Sequence, residues 1–261
     1  MKTKLIIGIG LLLIGSLLNA QEATLEKFER YFSWNPDSTS IYAEPNLESE
    51  ELLKLPYGTE VKRLGELIDK EAIVFIGELD GTPDRPDRLG GYSLGTFWIM
   101  VEYQGVTGYA LNAEIINFPP LEWNGSYYEF EKERLQGYFK KEIVLHKRQD
   151  STLVEGRYWV SFIDSLAFPD GSYYKVDLFD GCFDRSYHFK EKTIAQVYYI
   201  FKTVYTVRVN YADKEKQENE YPSFSDASKY KLLFIPGGVT ASDGLFIRLS
   251  EHLVFGSSDC T

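Results

Sequence analysis

The sequence predicts a mainly β protein built in two parts, and three observations lead there. Short runs rich in β-branched and aromatic residues alternate with Gly, Pro and Asn turn signals along the chain. One of them, residues 97–118 (FWIMVEYQGVTGYALNAEIINF), reads as a β-hairpin with its turn at Gln104-Gly105. Along it Trp98, Met100 and Glu102 share one face, and Phe97, Ile99 and Val101 share the other. The length of 261 residues, with 15% aromatics, exceeds the usual size of one domain and supplies ample side chains for real cores.

Residues 1–20 read as an export signal. Lys2 and Lys4 precede an apolar run from Leu5 to Leu18, and Ala20 supplies the small residue at the cut. The apolar run is shorter than the ~20 residues a membrane span requires, and no Cys follows it for lipid attachment. The mature protein is therefore expected to be exported, periplasmic or extracellular, without stable membrane insertion. Its removal takes two lysines, leaving 26 Lys and Arg against 39 acidic residues and a net charge of −13. Such a field repels phosphate, which argues against nucleic acid as a partner. Residues 21–37 form a polar leader whose apolar points, Leu25, Phe28, Tyr31 and Phe32, suit either a short helix or a loosely packed arm ended by Pro36-Asp37.

From Ser38 the strands are short. Ile41-Tyr42 leads to a turn at Pro45-Asn46; Leu52, Leu53 and Leu55 precede a turn at Pro56-Tyr57-Gly58-Thr59; Val61 and Leu64, then residues 73–76, carry further strands. Residues 77–91 (GELDGTPDRPDRLGG) have the composition of a surface loop. Asp80, Asp84 and Asp87 lack the alternating order of a calcium loop.

Pro45, Leu52, Leu55, Gly58-Thr59-x-Val61, Leu64, Trp98-x-x-Val101, Gly105, Gly108-Tyr109-Ala110 and Ile115 follow in the order of a known pattern. On these residues the stretch 38–117 resembles the bacterial SH3-like (SH3b-type) domains of exported proteins. It departs from them in three ways. Ser40-Ile41-Tyr42-Ala43-Glu44 replaces the usual opening, Tyr109 stands where relatives carry Trp, and an inserted hairpin is expected from residues 70–76 and 91–97. The resemblance implies a small barrel closed on one core, with Ile41, Leu52, Leu55, Val61, Ile99, Val101, Ala110 and Ile115 as its members. Gly108 is expected to let the strand bend at a barrel corner. The resemblance also implies recognition of a cell-wall component or protein peptide, with Tyr42, Tyr57, Trp98, Tyr103 and Tyr109 as candidate ligand-binding residues; packing competes as a role for each. Pro119-Pro120 reads as a stiff linker after this module.

Residues 121–261 read as a second antiparallel β-rich domain, with strand-like segments at 126–130, 136–146, 153–163, 172–179, 184–190, 229–235 and 245–255. Apolar residues at 194, 197, 198, 201, 204 and 205 have helical spacing, although their β-branched and aromatic composition also suits a strand. Residues 213–220 (DKEKQENE) read as a solvated loop.

Chemistry-bearing motifs are sparse. An even cysteine count in an exported chain favours a Cys182–Cys260 disulfide. The competing reading makes Cys182 the nucleophile of a cell-wall peptidase, because SH3-like modules are often joined to NlpC-type cysteine peptidases, with His188 or His252 as base. Here Cys182 lacks the Ser-Gly that follows that family's nucleophile, so a binding role without catalytic residues is expected. His146, His188 and His252 lack metal-ligand spacing, and no Gly-rich phosphate loop follows a strand, so neither metal nor cofactor is expected. A third possibility is a structural β protein whose barrel takes no ligand.

Overall fold

A computed structural model describes residues 30–79, 90–123, 128–129, 145–154, 157–168, 171–179, 182–210, 217–228, 231–235, 245–248 and 253–260. The protein is mainly β, with two large antiparallel sheets, one of them a half-barrel, and among the described residues a single helix.

The half-barrel sheet holds seven strands: β1 (Tyr31–Ser33), β2 (Thr39–Tyr42), β3 (Glu51–Leu55), β4 (Glu60–Leu79), β5 (Gly90–Tyr103), β6 (Val106–Leu111) and β7 (Ile115–Ile116). They lie in the order β3-β2-β6-β5-β4-β1-β7. The alternation of β5 is realised on both faces. Ile99 and Val101 enter a small core with Ile41, Leu55, Val61, Ala110 and Ile115, while Trp98 enters a larger core on the opposite face. Seven of the eight side chains expected in the small core are buried there; Leu52 is 38% exposed, because Leu53 and Leu55 take the inward positions of β3. Gly108 has no left-handed backbone angle. A Cβ there would meet Ile41 Cγ2 at 2.5 Å and the Tyr42 carbonyl oxygen at 2.6 Å, so glycine allows β6 to lie close against β2 rather than to bend.

The leader ends in β1, a strand rather than a helix, paired with β4 and β7; residues 1–29 lie outside the described residues. Arg30 supports this pairing through Nε and Nη2 contacts to Glu60 at 2.8 and 2.6 Å, which hold the Glu60 carboxyl below its ordinary range. The inserted hairpin is present as an extension of β4 and β5, with β-bulges between Leu64 and Leu67, Ile68 and Glu71, and Phe75 and Gly77. The expected loop is shorter than residues 77–91, since pairing continues to Leu79 opposite Gly90; Asp80, Asp84 and Asp87 lie outside the described residues.

The second large sheet contains β10 (Leu145–Val154), β11 (Arg157–Ala167), β12 (Tyr173–Phe179), β13 (Cys182–Phe189), β16 (Ser223–Ser228), β17 (Lys231–Ile235), β18 (Leu245–Arg248) and β19 (Leu253–Cys260). Their order is β10-β11-β12-β13-β19-β18-β17-β16. Residues 153–163 thus span the end of one strand and most of the next, and residues 245–255 belong to two strands rather than one. Two small ribbons pair β8 (Glu122–Trp123) with β9 (Tyr128–Glu129), and β14 (Val207–Asn210) with β15 (Gln217–Glu220). β15 lies inside the charge run expected to be a loop; cross-strand pairing with Val207 and Val209 overrides its composition.

The helical spacing is realised as α1 (Ile194–Val204), opened by a capping box in which Thr193 and Gln196 bond reciprocally. Its Val197, Ile200 and Phe201 are buried in the large core with Trp34, Trp98, Phe118, Phe189 and Phe234. Each fully buried aliphatic or Phe side chain there contributes about 1.5–3 kcal/mol. This core runs from the half-barrel to the second sheet without a break. Pro119 and Pro120 are buried within it, so the segment expected to be a linker is part of the packing. Trp34 Nε1 donates to the Phe118 carbonyl at 2.9 Å and Gln196 Nε2 to the Asn112 carbonyl at 3.2 Å, tying helix and barrel together.

Candidate functional site: an apolar row across four strands

Directly opposite positions on β2, β6, β5 and β4 carry Tyr42, Tyr109, Met100 and Leu64. All four are half-buried. With strands ~4.8 Å apart, the row is roughly 14 Å long, enough for several residues of an extended ligand. One row inward lie Ile68, Trp98 and Leu111, with Trp98 fully buried; one row outward lie Lys62, Glu102 and Thr107, with Lys62 Nζ 3.8 Å from Glu102 Oε2. The face therefore grades from core through an apolar shelf to a charged rim. Tyr42 meets Trp98 edge-on at 5.6 Å and 87°, so the shelf rests on a fixed aromatic floor.

The β2–β3 turn flanks Tyr42. Ala43 N donates to the Glu50 carbonyl at 2.9 Å, Glu48 N to Asn46 Oδ1 at 3.2 Å and Glu44 N to Ser49 Oγ at 3.1 Å. The turn thereby presents exposed Glu44, Glu48 and Glu50 beside half-exposed Leu47.

Of the five aromatics singled out from the sequence, the structure brings Tyr42 and Tyr109 together. Trp98 lies beneath them as packing. Tyr57 is occupied elsewhere: its hydroxyl accepts from Leu121 N at 2.7 Å, and its ring stands edge-on to Trp34 at 5.9 Å. Tyr103 packs against the small core on the other face, its hydroxyl accepting from Gln104 Nε2 at 3.0 Å. Met100 and Leu64 were not singled out. The Trp98-x-Met100 alternation placed Met100 on this face, but only the register sets it beside Tyr109.

Among the described residues the remaining candidates lie apart. Cys182 and His188 lie six residues apart on β13, roughly 20 Å along an extended strand, and do not form a dyad. His188 stacks on Tyr173 at 4.0 Å and 11°, with Nε2 3.0 Å from Ser186 Oγ. His146 lies on β10 opposite Ser165, and His252 is outside the described residues. Among the described residues no three His, Cys, Asp or Glu side chains gather as a metal site. Nor is any helix there long and apolar enough to cross a membrane. The backbone register sets Cys182 directly opposite Cys260.

Neither family models, nor curated proteins, nor solved structures gave a match to this chain.

Proposed function

We propose that this protein is an exported, non-enzymatic binding module, in which an SH3-like barrel over residues 38–117 recognises a cell-wall or protein peptide across the Tyr42–Tyr109–Met100–Leu64 row. One observation carries the reading: four half-exposed aromatic and apolar side chains stand in line over a buried Trp98. A rigid floor keeps the ordering cost of binding low, and tyrosines contribute contact area with few rotors. The carboxylates of residues 44–50 favour a ligand that carries an amine. The order of strands β2, β6, β5 and β4 around one small core supports the resemblance to the SH3-like family.

Export after cleavage at Ala20 and a Cys182–Cys260 disulfide belong to the same proposal. Cβ atoms of directly opposite residues lie ~4.5–5.5 Å apart, and a disulfide needs ~3.5–4.5 Å, so a local adjustment on the order of 1 Å closes the bond. Mass spectrometry of the unreduced, alkylated mature protein would show it; two alkylated thiols would remove this part.

The test of the binding role is NMR shift mapping with cell-wall peptides. Shifts centred on Tyr42, Met100 and Tyr109 are expected. An absence of shifts at millimolar peptide would favour a structural β protein instead.

A further inference from the structure

The face of β5 that carries Ile99 and Val101 into the small core continues past that core along the hairpin. There it presents Phe97, Gly95, Ser93 and Gly91, opposite Glu71, Ile73, Phe75 and Glu78 of β4. Val74, Ile76 and Leu94, on the other face, are buried against the rest of the molecule. Ile73 and Phe75 are 65% and 57% exposed, and Leu67, opposite Ile99 at the mouth of the small core, is 45% exposed. An apolar surface thus leaves the barrel and runs bare up the arm, an unusual exposure for a monomer.

On this face the strand beside it carries only Ser93 between Gly95 and Gly91. A Cβ built at Gly95 meets nothing within 4 Å, and at Gly91 it would strike Phe75 Cε2 at 2.8 Å, so the Phe75 ring lies over bare backbone. β6 joins β5 from Trp98 to Tyr103, and beyond it Asn112 N and Ala113 N donate to the Phe97 carbonyl and Thr96 Oγ1, so among the described residues no strand pairs with the outer edge of residues 91–95. Side chains of a strand added at that edge would cross the Gly and Ser positions and reach Ile73 and Phe75. Glu71 and Glu78 bracket these two residues on the same face, roughly 20 Å apart along the strand. Both are exposed, and neither makes an ion pair with a described residue.

We propose that this arm docks an extended segment of a partner protein as an added strand on β5, apolar at alternate central positions and carrying Lys or Arg at both ends. The two bracketing carboxylates select that partner over a second copy of this chain. A two-fold pairing would bring the same carboxylates of two acidic molecules, each with a net charge of −11, towards one another. This surface is on the opposite face of β5 from Met100 and does not depend on the function proposed above.

The probe is an eight-residue labelled peptide with Val and Phe at alternate positions and lysine at both ends; its counterpart carries glutamate at both ends. The full mature chain is expected to bind the lysine peptide at least about tenfold more tightly, with the preference shrinking as salt rises. Ser93 and Gly95 amides should gain exchange protection on binding. Ile73→Ser and Phe75→Ser should weaken binding about fivefold or more without lowering Tm, since both side chains are already exposed. Tyr42→Ser should leave the protection gained at Ser93 and Gly95 unchanged. Equal binding of the two peptides, binding untouched by Phe75→Ser, or no binding at millimolar peptide would overturn the proposal. So would a concentration-dependent dimer that Phe75→Ser abolishes, because a second copy would then be the occupant.

Discussion

Tyr199 of α1 donates its hydroxyl to Glu114 of the β6–β7 turn across 2.7 Å, deep between barrel and helix. Burial pushes the Glu114 carboxyl above its ordinary value, opposed by hydrogen bonds from Tyr199, Thr39 and Asn35 and by the charge of Lys202. Burial, then Glu114, drives the Tyr199 hydroxyl upward as well, and neighbouring Tyr198 is pushed up to about 12 by burial alone. The Tyr199–Glu114 hydrogen bond therefore joins the two halves through a buried, titratable contact.

The sign of the pH dependence follows. With its folded value raised, Glu114 contributes fully below its unfolded value of 4.5 and loses that contribution as pH rises through the folded value. Glu114→Gln keeps an acceptor for Tyr199 and removes the ionisation. Thermal unfolding of both proteins between pH 4 and 8 should show the variant gaining on the parent above about pH 4.5. A constant difference between them would contradict the assignment.

The fit of β6 against β2 rests on Gly108. Gly108→Ala places a methyl within 2.6 Å of Ile41 Cγ2 and the Tyr42 carbonyl oxygen, and backbone cannot yield cheaply. A loss of about 2–4 kcal/mol in denaturant unfolding is expected. Gly95→Ala, which meets nothing within 4 Å, should be neutral or stabilise by about 0.5 kcal/mol.

Asp177 and Asp184 stand directly opposite each other on β12 and β13, each with a buried Oδ1 that has no hydrogen-bond partner. Lys175 Nζ lies 2.6 Å from Asp177 Oδ2. Asp184→Asn removes the like-charge pairing and should raise stability by about 0.5–1 kcal/mol, again read by denaturant unfolding. Asp177→Asn, which also strands Lys175, should gain less.

The small core was legible because β5 alternates cleanly: Ile99 and Val101 went one way and Trp98 the other, as their spacing dictates. The helix was legible by spacing against its composition, and the deciding signal, Thr193-x-x-Gln196, is a local one that satisfies the first turn's free amides. The continuity of the core was not legible. Pro119-Pro120 has the local character of a linker, and only Phe118, packed edge-on to Phe168 and Phe189 at 5.4 and 5.6 Å, shows that it is inside. The candidate row was half legible, since a sequence places Tyr42 and Tyr109 on strands but gives no register between them. Thr193→Ala tests the helix reading: loss of the cap should cost about 1 kcal/mol, seen as a lower unfolding midpoint.

The Tyr42–Tyr109–Met100–Leu64 row is proposed as a peptide-binding surface. Calorimetric titration of the mature protein with an amine-bearing cell-wall peptide tests it most directly, run in parallel on Tyr42→Ser, Tyr109→Ser and, from the other face, Tyr103→Ser. Saturable binding is expected that weakens about tenfold, or ~1.4 kcal/mol, in the first two and persists in the third. Equal affinity in all four proteins, or no heat of binding at millimolar peptide, would contradict it.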